Sequence, residues 1–458
     1  MRNQNIIMER AIARLLEERK YLAVKDILIT MLPGEIAGIF RTLKSEQIPV
    51  LFRLLPKELA AKTFVKMDPE EKELLIHGFS DSSLREVLDD LYADDAADLI
   101  EEMPANVVKK ILDTAGSDMR RSVNELLKYP DNSAGSIMTT EFIRLAPDMS
   151  ISECISSIRN SGVNSDTIYT CFITENGVLK GRVTVKDLLL AADDDLPVRN
   201  IMDSNIAAVT TLNDQEEVAA MFNEYDLPVI PVVDRENRLV GVVTFDDAME
   251  IMEEEATEDM EIMGGMSPSE KNYIRSSVFD LFRQRIPWLM LLMISATFTG
   301  MIITGFETAL AAQVALTAFI PMLMDTGGNS GSQSSVTVIR AISLGEIKFS
   351  DLPMVLWKEL RTAVLCGASL SAVCFLKIIL IDRMLLGNDG ITLAVAAVVC
   401  FTLIITVFLA KSVGAVLPLA ASRMGFDPAV MSSPFITTIV DALSLLVYFE
   451  TAKILLGL

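Results

Sequence analysis

The sequence predicts a multidomain protein with an all-α superhelical N-terminal domain, an α/β region built as a tandem repeat, and an α-helical membrane domain of five transmembrane helices. Three observations support this prediction: a helical motif that recurs through residues 1–130, a second duplication within residues 137–255, and five long apolar segments in residues 286–458. The length of 458 residues also suits about three domains.

The N-terminal motif MLPGEIAGIF returns as LLPKELAAKTF, FSDSSLREVL and MPANVVKKIL, with a period of about 23–24 residues. Prolines stand near the starts of three copies, at Pro33, Pro56 and Pro104. A missing amide proton costs nothing there, because the first turn of a helix has no partner for it. Ser80 or Asp81 can cap the third copy. Repeats of this length suggest stacked helix pairs that form a small superhelix.

The duplication in the middle of the chain predicts two α/β units. SIMTTEFIRLAPDMSISECISSI is echoed by NIMDSNIAAVTTLNDQEEVAAMF, and short β-branched runs such as TCFIT alternate with helices. The pair resembles tandem CBS domains, whose repeat ends in a strand, a Thr and an Asp that opens a helix. Thr184 with Asp187, and Thr244 with Asp247, fit that pattern. The resemblance implies that Thr184 and Asp187 could hold the ribose of ATP; a purely structural or ion-reading pair is the alternative.

Charge is distributed unevenly along the chain. The net charge is −22, whereas residues 286–458 contain ten acidic and nine basic residues, so nearly all of the negative charge lies in residues 1–285. Such a region repels nucleic acid and attracts cations, so we expect no nucleic-acid partner. The N-terminal segment is charged and amphipathic, unlike a secretion signal, and we expect it to be cytoplasmic.

The residue types needed by a membrane-bound enzyme are scarce. The chain contains one histidine, His77, and no HExxH motif, so it lacks the ligands of an intramembrane metalloprotease. Its five cysteines show no paired spacing and are typical of small core residues in a reducing compartment. We therefore predict that the protein is not an enzyme.

Two acidic segments are candidate cation sites. FDDAMEIMEEEATEDMEIM predicts one helix whose acidic stripe includes Asp247, Glu250 and Glu258, placed just before the membrane domain. This helix would be repelled by other acidic surfaces unless cations bridged them; the alternative is a charged linker that binds nothing. Asp94 and Asp98 share one face of a second acidic helix, although such a run is more often a solvated surface.

The last apolar segment contains Asp441, about ten residues from its start. A carboxylate at that depth costs several kcal/mol unless it meets water, a partner or a cation. Ser433, Thr437 and Asp441 follow at i, i+4 and i+8 and therefore share one helix face, which predicts part of an ion pathway. The alternative is a buried acid satisfied by nearby hydroxyls or by Lys411.

Basic residues predict the orientation of the membrane domain. RQR at 283–285, the predicted loop 340–361 and Arg423 would lie on one side, consistent with a cytoplasmic N-terminus, five spans and an external C-terminus. The second apolar segment contains PMLMDTGGNSGSQSS, whose small residues permit close helix packing or unwound backbone around a polar cavity.

PMLMDTGGNSGSQ and SSPFITTIVD, together with the domain order, resemble the MgtE family of magnesium channels over essentially the whole chain. The resemblance implies a homodimer in the lipid bilayer of the plasma membrane, which imports Mg²⁺ and is closed by cytosolic Mg²⁺. Asp441 then matches the pore acid, and Asp427 an acid at the cytoplasmic mouth. The remaining pore-lining positions that the resemblance implies are Gly328, Asn329, Ser433 and Thr437. The implied cytosolic sensor carboxylates are Asp94, Asp98, Asp214, Glu216, Asp226, Asp247, Glu250, Glu255, Glu258 and Asp259.

Mg²⁺ holds its six waters tightly, so a pore with one carboxylate per subunit can bind the hydrated ion weakly enough to release it. The sequence leaves open a transporter of Co²⁺, Mn²⁺ or Ni²⁺ whose CBS domains respond to adenine nucleotide. Lys411 departs from the family pattern, and we expect its side chain to extend to the cytoplasmic interface. The predicted boundaries are 1–130 for the helical domain, 131–200 and 201–252 for the CBS units, 253–285 for the acidic connecting helix, and 286–458 for the membrane domain.

Overall fold

The chain divides into two units, residues 1–252 and 253–458, each of which is described by itself. The structure is a computed structural model that describes residues 8, 11–16, 18–160, 166–269, 273, 276–388, 390–431 and 433–457, with the backbone alone for Asp166 and Ser433.

Helices cover most of the first part of the first unit. They are α1 (11–16), α2 (Tyr21–Leu28), α3 (Pro33–Phe40), α4 (Ile48–Phe52), α5 (Lys57–Val65), α6 (Pro69–Gly78), α7 (Asp81–Leu88), α8 (Ala93–Glu102), α9 (Ala105–Thr114) and α10 (Ser117–Leu126).

The predicted helical repeat is present. Helices α3, α5, α7 and α9 begin 24 residues apart, and each packs against the next. Pro33 opens α3, and Ser80 caps α7 by accepting the Ser83 amide at 3.2 Å. The ring centroid of Phe52 lies 6.3 Å from that of Phe40 and 6.1 Å from that of Phe64. These contacts join successive repeats into one core, which confirms the all-α superhelical domain.

The tandem repeat forms two sheets with the same strand order, β1-β2-β3 and β4-β5-β6. In each, the first strand is parallel to the second and the second is antiparallel to the third. The elements are β1 (Arg144–Leu145), α11 (Ile151–Asn160), β2 (Thr170–Glu175), β3 (Val178–Thr184), α12 (Val185–Leu189), β4 (Val209–Thr210), α13 (Gln215–Tyr225), β5 (Val229–Val233), β6 (Leu239–Thr244) and α14 (Phe245–Met263).

The segment that precedes the first strand of each repeat packs against the last strand of the other repeat. Met138 of the first repeat packs on Gly241 of the second, where an added Cβ would lie 2.5 Å from the Met138 sulfur. Met202 of the second repeat packs on Gly181 of the first, where the corresponding distance is 2.7 Å. The duplicated Ile-Met and Gly positions therefore form one symmetric contact, in agreement with the predicted pair of α/β units.

The acidic helix α14 begins at Phe245 and ends at Met263, so it covers the whole segment FDDAMEIMEEEATEDMEIM that predicted one helix. A left-handed glycine, Gly265 (φ +71°), follows its end. The helix begins directly where β6 ends, and the Thr244 hydroxyl donates to the Asp247 carboxylate in its first turn.

The second unit contains α15 (Val278–Gly305), α16 (Glu307–Ala312), α17 (Ile320–Ser343), α18 (Leu352–Lys377, continued as a π-helix over Ile378–Leu385), α19 (Leu393–Arg423) and α20 (Ser433–Leu456). Helix α19 packs against α17, α18 and α20, and α15 packs against α20. The helical C-terminal region is thus confirmed.

Among the described residues, three helical segments are long and apolar enough to cross a membrane: Val278–Gly305, Phe349–Leu385 and Leu393–Arg423. Helices α17 and α20 have 24 residues each but contain the polar groups of the predicted ion pathway. The count of five spans therefore stays a prediction. Lys358 and Arg361 lie within α18, not in the predicted loop 340–361, because the helix already starts at Leu352 with a proline in its first turn.

Candidate functional site

Asp441 lies on α20, which packs against the glycine-rich part of α17. An added Cβ on Gly328 would lie 2.7 Å from Thr437 Cγ2, and the hydroxyls of Ser332 and Thr437 are 3.5 Å apart. Glycine is therefore required for the two helices to approach here. Asp441 is half-buried, and its buried Oδ1 has no hydrogen-bond partner among the described residues.

Asp325 is a pore candidate that the sequence analysis missed. The Asn329 amide donates to Asp325 Oδ1 at 3.0 Å, and both side chains are exposed in the single chain. Asp325 also interacts electrostatically with Asp441. The sequence did contain a signal for Asp325: it precedes Asn329 by four residues, which places both side chains on one helix face. Ser433 opens α20, but its side chain lies outside the described part of the chain.

A first acidic group, formed by Asp94, Asp95, Asp98 and Asp247, lies in the first unit around α8. Burial, and after it the charges of Asp95 and Asp247, raise the pKa of Asp94 well above its usual value. The Oδ1 atom of Asp94 is buried without a hydrogen-bond partner on any described residue. The Asp98 side chain reaches the surface. The protein atoms around it nevertheless displace much of its water, and this effect, followed by the charges of Asp95 and Glu101, raises the pKa of Asp98 to about 7. The folded unit therefore holds these carboxylates close together at an energetic cost.

Two lysines approach the same group. Lys66 Nζ is 2.8 Å from Glu250 Oε2 on α14, and the nearly buried Lys72 Nζ is 3.0 Å from Glu102 Oε2. These four residues and Asp247 line one cavity of about 90 Å³. Burial raises the pKa of Asp247 to about 6, although the hydrogen bond from Thr244 opposes this shift. The sequence analysis missed both lysines because no local pattern relates them to their partners.

A second acidic group, formed by Glu255, Glu258, Asp259 and Asp427, lies in the second unit near the start of α20. Partial burial, and then the charge of Asp427, raise the pKa of Asp259, whose Oδ2 is 3.4 Å from the Ser343 hydroxyl. Partial burial, and then the charges of Glu255 and Asp427, raise the pKa of Glu258. Asp427 itself caps the turn that precedes α20. The structure thus brings four predicted residues together.

The three predicted sensor acids on α13 are not brought together. Asp214 caps the start of the helix and accepts the Glu216 amide at 2.9 Å. Asp226 ends the helix in the left-handed conformation, with φ 50°. The eleven residues between them span about 16 Å. Asp214 and Asp226 therefore have local structural roles at opposite ends of α13.

The predicted nucleotide residues form a helix cap. The Thr184 amide donates to Asp187 Oδ2 at 3.1 Å, and the Asp187 amide donates to the Thr184 hydroxyl at 3.2 Å. Thr244 and Asp247 repeat the side-chain contact in the second repeat. A carboxylate held in this way can also accept hydrogen bonds from ligand hydroxyls.

No three His, Cys, Asp or Glu side chains within the described ranges converge closely enough to hold a metal ion. The expectation that Lys411 reaches the interface is wrong. Its side chain is 6% exposed and lies 3.8 Å from Glu359, because a buried partner on a neighbouring helix compensates its charge.

Comparisons with known proteins cover each part of the chain. Residues 31–132 match the MgtE intracellular N domain, 134–194 and 198–254 match CBS domains, and 320–451 match the MgtE divalent cation transporter. The chain is 34% identical over 446 residues to the magnesium transporter MgtE of Thermus thermophilus, covering 96% of this chain and 97% of that protein. It is 29% identical to the magnesium transporter MgtE of Bacillus subtilis, covering 98% of both.

A solved structure resembles about half of this chain. It is the cytosolic domain of the Mg²⁺ channel MgtE in complex with ATP, which matches with a TM-score of 0.50 and 32% identity. The match covers 53% of this chain and 99% of that structure.

Proposed function

This chain belongs to the MgtE family of magnesium transporters, and we propose that it forms a Mg²⁺-selective channel that imports magnesium across the plasma membrane. We further propose that cytosolic Mg²⁺ closes the channel by binding to the two acidic groups described above. Its N-terminus would be cytoplasmic and its C-terminus external, as the basic residues around the spans indicate.

The Asp441 carboxylate is the observation that supports the pore. A charged group within an apolar helix bundle is stable only if water, a partner or a cation compensates it. One Asp441 oxygen lacks a partner among the described side chains, while Asp325 adds negative charge beside it. Two carboxylates and the Asn329 amide can bind a hydrated Mg²⁺ through its waters, without stripping the ion.

A homodimer would complete this site. Asp325 and Asn329 are exposed in the single chain although they lie beside the pore acid. Polar side chains on an apolar helix are unfavourable against lipid. A second copy related by a two-fold axis would place two sets of these groups around one water-filled pathway.

The first acidic group would act as the principal Mg²⁺ sensor. The raised pKa values of Asp94, Asp98 and Asp247 mean that their ionised forms are destabilised by burial and by one another. A divalent cation removes this repulsion and favours the compact arrangement. Lys66 and Lys72 would lower the repulsion in part when Mg²⁺ is scarce.

The second acidic group would transmit the closure to the pore mouth. Glu258 and Asp259 on α14 lie within electrostatic range of Asp427, which precedes the pore helix, and Glu255 lies within range of Glu258 and Asp259. Mg²⁺ bound among them would hold α14 against the start of α20. Asp214, Glu216 and Asp226 would contribute weaker sites for hydrated Mg²⁺ on α13.

Adenine nucleotide is a further candidate ligand of the CBS pair. The solved cytosolic domain of the Mg²⁺ channel MgtE contains ATP, and it matches this chain at 32% identity. Thr184 and Asp187 would then hold the ribose, in addition to capping α12. ATP would act as a regulator, and no enzymatic step is proposed.

Uptake by vesicles tests the proposed function. The purified full chain is reconstituted into liposomes, and the uptake of Mg²⁺, Mn²⁺, Co²⁺ and Ca²⁺ is compared, with empty vesicles as the control. We expect Mg²⁺ to enter fastest at low internal Mg²⁺ and to slow as internal Mg²⁺ rises. Equal or faster entry of Mn²⁺ or Co²⁺ would favour a transporter of other divalent cations.

A further inference from the structure

A buried ion pair joins three helices of the second unit. Lys411 on α19 is 6% exposed and Glu359 on α18 is 15% exposed, with Lys411 Nζ 3.8 Å from Glu359 Oε2. Lys411 Nζ also donates to the Ser334 hydroxyl of α17 at 3.2 Å. That hydroxyl donates in turn to Glu359 Oε2 at 2.6 Å. Each of the three helices therefore contributes one group to a closed network.

Stability alone explains this network poorly. Both charges have lost most of their water, and the attraction within a buried pair does little more than offset that loss. Apolar residues of similar size would hold the helices together equally well. Removing the charge of either Lys411 or Glu359, however, would leave the other charge uncompensated inside an apolar bundle. The pair therefore enforces one arrangement of the helices more than it stabilises the bundle.

The network lies directly behind the pore wall. Ser335, the next residue of α17, donates its hydroxyl to the Met431 carbonyl at 2.9 Å, just before the pore helix α20 starts. Gly331, one turn earlier on α17, packs against the α19 backbone. The segment 331–335 is thus fixed to α19 and α18 on one side and to the start of α20 on the other. Asn329 lies within one turn of this segment.

We propose that Lys411 is a positioning residue for the pore, acting through Glu359 and Ser334. Its ammonium group neutralises Glu359, so that the carboxylate accepts from Ser334 and fixes α17 in register with α20. This inference rests on the proposed function, because its effect is measured as Mg²⁺ uptake. Without Lys411, Glu359 would have to bind a proton or an exchangeable cation, or move towards water, and each change would disturb α17.

The test is a double-mutant cycle in reconstituted vesicles. We expect Lys411→Met and Glu359→Gln each to lower maximal Mg²⁺ uptake by about tenfold or more, because each leaves one buried charge unpaired. Lys411→Met/Glu359→Gln removes both charges, and we expect uptake within about threefold of wild type. Such a recovery would not occur if each residue only contributed packing.

Lys358→Met is the matched control. Lys358 directly precedes Glu359 on α18, but its side chain is exposed. We expect this variant to keep uptake within about twofold, because removing an exposed charge leaves no buried charge uncompensated. Thermal unfolding of every variant in detergent separates a loss of fold from a loss of transport.

Two outcomes would overturn the proposal: a double variant as poor as Lys411→Met, or a Lys411→Met variant that transports like wild type. If Lys411→Met does not reach the membrane, Glu359→Gln and the double variant decide between recovery and its absence. Asp441→Ala is measured in parallel. Its loss of uptake supports the proposed pore whatever the result at Lys411, so the two ideas fail separately.

Discussion

The backbones of Gly331 on α17 and Gly414 on α19 cross in close contact: a Cβ on Gly414 would lie 2.3 Å from the Gly331 carbonyl oxygen. A Cβ on Gly331 would in turn lie 2.8 Å from Ile436 of α20. Close packing against α19 and α20 therefore requires a glycine at position 331, the third glycine of the motif. It positions Asn329 and Ser334 as a consequence.

Gly414→Ala should destabilise the second unit. The new methyl group would meet backbone, which cannot rotate away as a side chain can, so we expect a loss of about 1–3 kcal/mol and lower Mg²⁺ uptake. Gly300→Ala is the control, because no described atom lies within 4 Å of its added Cβ. Thermal unfolding in detergent measures both, and equal midpoints would contradict the tight crossing.

Asp441→Ala should remove the pore site without unfolding the protein. We expect Mg²⁺ uptake to fall by roughly 100-fold, which corresponds to ~2.7 kcal/mol of lost cation binding. Asp441→Asn should be nearly as damaging, since the charge is lost although the size is kept. Glu450→Gln on the same helix is the control, because Glu450 is exposed and follows Asp441 by nine residues, about 14 Å along the helix. Wild-type uptake in both Asp441 variants would remove Asp441 from the pore.

Neutralising several sensor acids together should flatten the response to Mg²⁺. The variant changes Asp94, Asp98, Glu255, Glu258 and Asp259 to Asn or Gln, which removes both the repulsion and the sites for bridging ions. Single changes should have little effect, because weak surface carboxylates each contribute modestly.

The measurement is protease protection of α14, titrated with Mg²⁺ from micromolar to tens of millimolar. Wild type should become protected as Mg²⁺ rises, and the multiple variant should not. Identical titration curves would reject the sensor and leave the pore assignment untouched.

Protons should compete with Mg²⁺ at the first acidic group. The pKa values of Asp98 (about 7), Asp247 (about 6) and Asp94 are raised in the folded unit, so between roughly pH 4 and 7 it binds more protons than the unfolded chain. Without Mg²⁺, stability should therefore fall as the pH rises through this window.

Mg²⁺ binds the ionised carboxylates. The Mg²⁺ concentration that gives half-maximal protection of α8 against hydrogen exchange should therefore rise several-fold when the pH is lowered from about 7.5 to about 6. Hydrogen exchange of α8 in the full chain measures both trends. Asp98→Asn should weaken the pH dependence of protection; an unchanged profile would mean that Asp98 does not bind the ion.

ATP should bind to the first CBS repeat. We expect Asp187→Asn to weaken the binding of ATP to the full chain about tenfold, because the amide nitrogen cannot accept ribose hydroxyls, while its oxygen can still cap α12. Asp247→Asn, at the corresponding position of the second repeat, is the matched control and should keep the affinity. Calorimetric titration measures both. No binding at millimolar ATP would leave the CBS pair as a structural and Mg²⁺-sensing module.

The domain order, the helical period and the α/β duplication were predictable because each depends on near neighbours. Hydrophobic spacing, prolines at helix starts and Thr–Asp caps act within a few residues, so the 24-residue interval between α3 and α5 can be recognised from the sequence alone. Asp441 was identifiable for the same reason: one charge in a long apolar run stands out whatever it packs against.

The partners of the charged groups were decided by the tertiary structure. Lys66 meets Glu250 from 184 positions away, and Lys411 meets Ser334 from 77 positions away. Such pairs depend on which helices cross and at what depth, and the cost of burying a charge depends on the partner found there. The sequence therefore determined which residues were chemically unusual, whereas helix packing determined that Lys411 is buried beside Glu359 rather than extended to the interface.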